Sequence, residues 1–252
     1  DTWLQNFSLH ATLSLQHLWR IGAATQVDWW LGAVVYLSND GRQRSQAKAK
    51  VAIELWNKLN NRPVVHDDDD DDDDDDDGQD TGLDAWDIKY GRREDFGFTT
   101  QCKQSLPNFH VVDDVSRIPP VFAVEVTELP RGSDIEWQGL GCRCNRLALT
   151  VRDMDTDGLN VKIWSTTVDD HSAFYSIEIG DGNESSSRAT RLHTLMQDLG
   201  AAEGVAQSTI YTSYASFADR WKGQVVPCKT VWGSEGQRIT AAITVRTVFA
   251  AG

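Results

Sequence analysis

The chain has 252 residues, 40 % of them hydrophobic and ten of them tryptophan, which excludes global disorder and allows one sizeable core. Its 38 acidic and 24 basic side chains give a net charge of −14, yet eleven of the acids form one unbroken run, Asp67 to Asp77. Without that run 27 acids face 24 bases, a balance of −3, and a chain with an acidic balance is not expected to bind nucleic acid, which needs clustered Lys and Arg.

At the N-terminus Phe7, Leu9, Ala11, Leu13 and Leu15 alternate with other residues, which predicts a strand. A second apolar stretch, Val27 to Leu37, predicts another strand, closed by the turn signal Ser38-Asn39-Asp40-Gly41. Trp29 and Trp30 are adjacent, so in a strand their rings face opposite ways and one of them fills the core. Val51, Ala52, Leu55, Trp56 and Leu59 then recur at three and four, which predicts an amphipathic helix stopped by Asn60-Asn61-Arg62-Pro63. Residues 1–65 therefore read as strands plus a helix.

From 66 to 84 the adjacent carboxylates repel one another and cannot be buried together, which makes this stretch an exposed acidic loop. Its linear charge suits divalent cations, a mineral surface or a basic partner. Sixty-five residues without a cysteine are a marginal independent domain, so residues 1–252 are expected to form a single domain with this loop inside it.

Residues 85–252 read as β-rich. Strand-like runs fall at 85–90, 97–103, 109–113, 120–128, 135–150, 159–166 and 172–179, rich in Val, Ile, Phe and Thr. Helices are expected at 188–198, from Leu192, Leu195, Met196 and Leu199, and at 207–221, from Ile210, Tyr214, Phe217 and Trp221. Strands near 224–232 and 238–249 close the chain. The fold class is α+β and β-rich: antiparallel sheets or a sandwich, one N-terminal helix and one or two C-terminal helices.

The longest apolar run, Trp29 to Leu37, spans about nine residues, far short of the roughly 20 that a membrane helix needs. The first residue is Asp1, which fits a processed N-terminus, and four cysteines fit two disulfides in an oxidising compartment. Cys142 and Cys144 are too close in sequence to pair without strain, so each is expected to bond Cys102 or Cys228. Asn6 and Asn183 lie in glycosylation sequons, and Arg92-Arg93 resembles a dibasic processing site. An extracellular, secreted protein is expected.

The sharpest motif is Asp153-Met154-Asp155-Thr156-Asp157-Gly158. Alternate carboxylates in a tight loop, with glycine for the bend, suit calcium, which prefers hard oxygen ligands. The spacing resembles the opening of a helix–loop–helix calcium hand, but Trp164 stands where its twelfth-position acid belongs and both flanks read as strands. Asp153, Asp155 and Asp157 are thus candidate ligands in a strand–loop–strand turn. For catalysis, Glu125 and Glu136 are a candidate carboxylate pair for sugar hydrolysis, provided neighbouring strands bring them together. Glu128 lies three residues from Glu125 and so faces the other side of a strand. Asp169-Asp170-His171-Ser172 and His110 with Asp113 and Asp114 contain triad residue types, and the chain has no G-x-S-x-G or H-E-x-x-H motif.

These observations point to a secreted, disulfide-stabilised binding module supported by calcium, with a carbohydrate, cell-surface or protein partner. The other classes in view are a glycosidase-like hydrolase, a processed toxin or effector cut near Arg93, and a structural coat protein.

Overall fold

The computed structural model describes residues 2–61, 118–144, 147–156, 159–169, 172–180, 190, 194, 205–215, 221 and 223–248. The acidic run, the strand-like runs between 85 and 113 and the processing site at Arg93 lie outside them, as do Cys102, Asn183 and the helix expected at 188–198 apart from Thr190 and Thr194.

Two helices flank the first strand: α1 (Thr2–Ala24), β1 (Trp29–Ser38) and α2 (Arg42–Asn60). The N-terminal segment is therefore a helix and not the strand its alternation suggested. Phe7, Ala11 and Leu15 fit both periods, but burial continues at Trp19 and Gly22, and Leu9 is exposed. A 23-residue element is also too long for an ordinary strand. The helix expected around 51–59 is present as α2 and ends at Asn60, as the Asn-Asn-Arg-Pro stop requires. No helix among the described residues is long and apolar enough to cross a membrane.

The rest is sheet: β2 (Val121–Val126), a 3-10 turn at Pro130–Gly132, β3 (Ile135–Cys142), β4 (Leu147–Thr156), β5 (Leu159–Val168), β6 (Ser172–Gly180), β7 (Val205–Thr212), β8 (Gln224–Pro227), β9 (Thr230–Trp232) and β10 (Arg238–Val248). The helix expected over 207–221 is overturned where it is described. Val205, Thr209, Ile210 and Thr212 are good strand formers, and β7 pairs β10 on one side and β8 on the other. The α+β, β-rich class stands. The sheet is mixed, however, because β1–β2 and β7–β8 are parallel pairs.

Strand order is β3-β1-β2-β9-β10-β6-β5-β4, with β7 and β8 branching from β10. One face of the β3-β1-β2 half is covered by α1 and α2, where Trp19, Trp30 and Trp56 meet at ring-centroid distances of 5.3–6.3 Å. Trp30 is buried and Trp29 half-buried, so the adjacent rings do divide between the core and the rim. Gly32 lets β1 pass Pro120, whose carbonyl would lie 2.9 Å from any Cβ there.

The other face is concave. Phe122 on β2 and Trp164 on β5 are four strand steps apart, about 19 Å in a flat sheet. Their rings nevertheless meet at 6.3 Å, and so do those of Tyr36 and Tyr211. The sheet therefore curls until its two arms enclose a second core of Val34, Phe122, Val124, Trp164, Tyr211 and Val231. A third core, centred on Ile163, Ile177, Ile210 and Ile243, lies on the opposite side of the β5-β6-β10 arm.

Candidate functional site

The concave face ends in a row of charges. In the ladder Asp153 on β4 stands opposite Lys162 on β5, which stands opposite Glu178 on β6. Side chains directly opposite one another share a face, so carboxylate, ammonium and carboxylate line up across three strands. The turn between β9 and β10 closes over them. Glu178 accepts hydrogen bonds from the Ser234 backbone N–H and, at 3.0 Å, from Gln237 Nε2. This fastening delivers Glu235 to Lys162 Nζ at 2.8 Å.

Burial dominates at Glu178 and pushes its pKa above the ordinary carboxylate value; the Ser234 hydrogen bonds and the Lys162 charge only partly oppose this. At Lys162 burial acts to lower the pKa, but Glu235, Asp153 and Glu178 outweigh it and the net shift is upward. Lys162 also lies over the Trp164 ring, 5.2 Å from its centroid.

Two adjoining cavities, of about 630 and 600 Å³, open around this row and share Asp153, Lys162 and Glu235. Asn160, Gln237 and Arg238 line the first, while Asn57, Pro119 and Trp164 line the second. Together they make a groove whose floor is β4–β5 and whose walls are the lead-in to β2 and the β9–β10 turn. It offers carboxylates, amides and one ammonium at one end and apolar surface at the other.

Of the sequence-flagged calcium ligands, Asp153 is exposed on the groove floor. Asp155 stands opposite Asn160 in the ladder, and Asp157 lies outside the described residues. The flanks are strands, β4 and β5, with Thr156 opposite Leu159, so the motif occupies the end of a hairpin with a two-residue connection. Among the described residues no group of three or more His, Cys, Asp or Glu side chains is gathered to hold a metal ion.

The candidate pair Glu125 and Glu136 is not brought together. β1 runs between their strands, with Leu37 beside Glu125 and Tyr36 beside Glu136. Neighbours in a strand face opposite sides, so the two glutamates do as well. Glu125 is buried on the helix side, where it accepts from Ser45 Oγ at 2.8 Å. Glu136 and Glu128 are exposed. His110, Asp113, Asp114, Asp170 and His171 lie outside the described residues.

The cysteines are also rearranged relative to expectation. Cys142 and Cys144 Sγ are 3.6 Å apart. Cys228 packs with Tyr36 and Tyr211, toward one end of β1, whereas Cys142 pairs with Trp29 at the other. Seven strand residues separate those levels, about 20 Å, so Cys228 is out of disulfide reach of Cys142. Burial pushes the Cys228 thiol up to about 12.

Lys162, Glu178 and Glu235 were not singled out by the sequence, because they come from three separate segments. The cross-strand register brings Glu178 beside Lys162, and the β9–β10 turn brings Glu235. No protein-family model, curated protein or solved structure matches this chain.

Proposed function

We propose that this chain is a secreted binding module whose ligand site is the groove around Lys162, and that the ligand is a hydroxyl-rich molecule such as a carbohydrate. The observation that carries this reading is the convergence of Asp153, Lys162, Glu178 and Glu235 on one groove. Carboxylates and amides side by side accept and donate hydrogen bonds in pairs, which is the pattern sugar hydroxyls demand, and an adjoining apolar strip suits a sugar's C–H face. Calcium held by Asp153, Asp155 and Asp157 would sit at the groove end and fix the β4–β5 hairpin. Disulfide stabilisation belongs to the same extracellular reading. The test is binding of the folded protein to a broad immobilised glycan panel, in calcium and in chelator. Selective binding that weakens in chelator supports the proposal, and a blank panel with folded protein overturns it.

A second reading rests on Glu178. Burial raises its carboxyl pKa, the direction in which a general acid is tuned. Asp153 lies two strand spacings away across Lys162, about 10 Å, near the upper end of the separation at which inverting hydrolases place their two carboxylates. Glycan cleavage lost in both Glu178→Gln and Asp153→Asn would favour a hydrolase over a pure binder.

A further inference from the structure

We propose that Cys142 and Cys144 form a thiol–disulfide exchange site, reacting reversibly with low-molecular-weight disulfides of the glutathione type. The pair lies away from the groove, where the last residue of β3 meets the start of β1. Asp28 straps both ends of the Cys-Arg-Cys turn. Its backbone N–H donates to the Cys142 carbonyl at 2.9 Å, and its Oδ2 accepts from the Cys144 N–H at 3.0 Å. The strap holds the two sulfurs 3.6 Å apart, on one side of the chain and in contact.

Such placement raises the effective concentration of one thiol at the other, which is what closes a disulfide quickly once a first exchange has occurred. In that step one cysteine thiolate attacks RS–SR, forming a mixed disulfide and expelling RS⁻. The second thiolate attacks the protein sulfur of the mixed disulfide, expelling the other RS⁻. Two electrons pass from the cysteines to the reagent, their two protons go to the released thiolates, and the products are one Cys142–Cys144 bond and two RSH.

Both residues are half-buried, so small reagents reach them. Burial also pushes the Cys142 thiol pKa well up, with Cys144, Asp28 and Asp169 adding to the shift. A weakly acidic thiol is both a slow nucleophile and a poor leaving group, which slows closing as well as reopening of the bond through Cys142. The short ring closed by a single intervening residue works the other way and keeps the bond reducible.

The test is equilibration of the intact chain in oxidised and reduced glutathione at graded ratios, followed by alkylation and trypsin digestion. Trypsin cuts after Arg143, so the two cysteines part company unless they are bonded to each other. The expected result is a linked, unalkylated species under oxidising buffer that reverts to two alkylated peptides under reducing buffer. A Cys102→Ser/Cys228→Ser variant should titrate in the same way, and Asp28→Ala should accumulate glutathione adduct, because the second thiol is no longer held in place. If that double variant fails to fold, the wild-type digest alone identifies the joined sulfurs. Linkage of Cys142 or Cys144 to Cys102 or Cys228, a persistent wild-type glutathione adduct, or full alkylation at every ratio would overturn the proposal.

Discussion

Lys48 Nζ lies 2.8 Å from Asp134 Oδ1 and 3.0 Å from Asp40 Oδ2, with the lysine side chain only 2 % exposed. A helix α2 residue thus ties the turn after β1 to the residue just before β3, and Phe7 of α1 places its ring 5.3 Å from the same ammonium. Three segments distant in sequence share one buried cation.

Removing that cation leaves two partly exposed carboxylates, Asp40 and Asp134, without their partner. Lys48→Met should therefore lower stability by about 1–2 kcal/mol, less than stranding a fully buried charge costs. Asp134→Asn should cost less, because Asp40 remains and Asp134 is partly exposed. Urea unfolding of the two variants checks the order, and an unchanged Lys48→Met midpoint would show that the pair does not contribute. The hydrogen bond from Lys48 holds the Asp134 pKa below its usual value of 3.8. The stability this confers is present above that value and is lost as pH falls through the lower folded one.

A Cβ at position 139 would lie 2.6 Å from Trp30 Cζ3, so β3 needs glycine there to admit the tryptophan cluster. Gly139→Ala should destabilise by about 1–3 kcal/mol through overpacking. The near-ultraviolet circular dichroism of the Trp19–Trp30–Trp56 cluster should weaken at the same time. Retention of both stability and signal would contradict the packing described.

Helix α2 was legible in the sequence through its three-and-four period, and most of the later strands through their Val, Ile, Phe and Thr content. Phe7, Ala11 and Leu15 satisfy two periods at once, so the burial of Trp19 and Gly22 was needed to settle α1 as a helix. The segment around Ile210 and Tyr214 carried helical spacing by coincidence, and its β-branched content was the truer signal. Asp153 was visible through its motif. Glu178 and Glu235 were not, since nothing local distinguishes a groove glutamate from a solvated one until strand register, for Glu178, and the β9–β10 turn, for Glu235, set them beside Lys162.

Glu178 should govern the acid side of the pH profile of stability. Its folded-state pKa is raised by burial above 4.5, so the native state holds this proton to higher pH than the unfolded chain does. The contribution is full below the unfolded value and is lost as pH rises through the folded one. Glu178→Gln should therefore gain stability relative to wild type as pH rises above the ordinary glutamate value, while its amide oxygen still accepts from Ser234. Urea midpoints across that range check it, and parallel profiles would mean that Glu178 does not titrate there.

Calcium, if held by Asp153, Asp155 and Asp157, must stabilise the folded chain. At one hundred times its dissociation constant the gain is about 2.7 kcal/mol, visible as a higher thermal midpoint than in chelator. Asp153→Asn should shrink that difference. Identical midpoints with and without calcium in the wild type would remove the metal from the account.

The most direct test of the groove is the affinity of wild type, Lys162→Met and Glu235→Gln for a glycan selected from the panel, measured by titration calorimetry on folded protein. Lys162 and Glu235 are both accessible and 2.8 Å apart, so either change alters the groove without opening a core. The expected result is a loss of affinity of about tenfold or more in each variant, equivalent to about 1.4 kcal/mol, in protein that remains folded. Wild-type affinity in both variants would contradict the assignment of this groove as the ligand site.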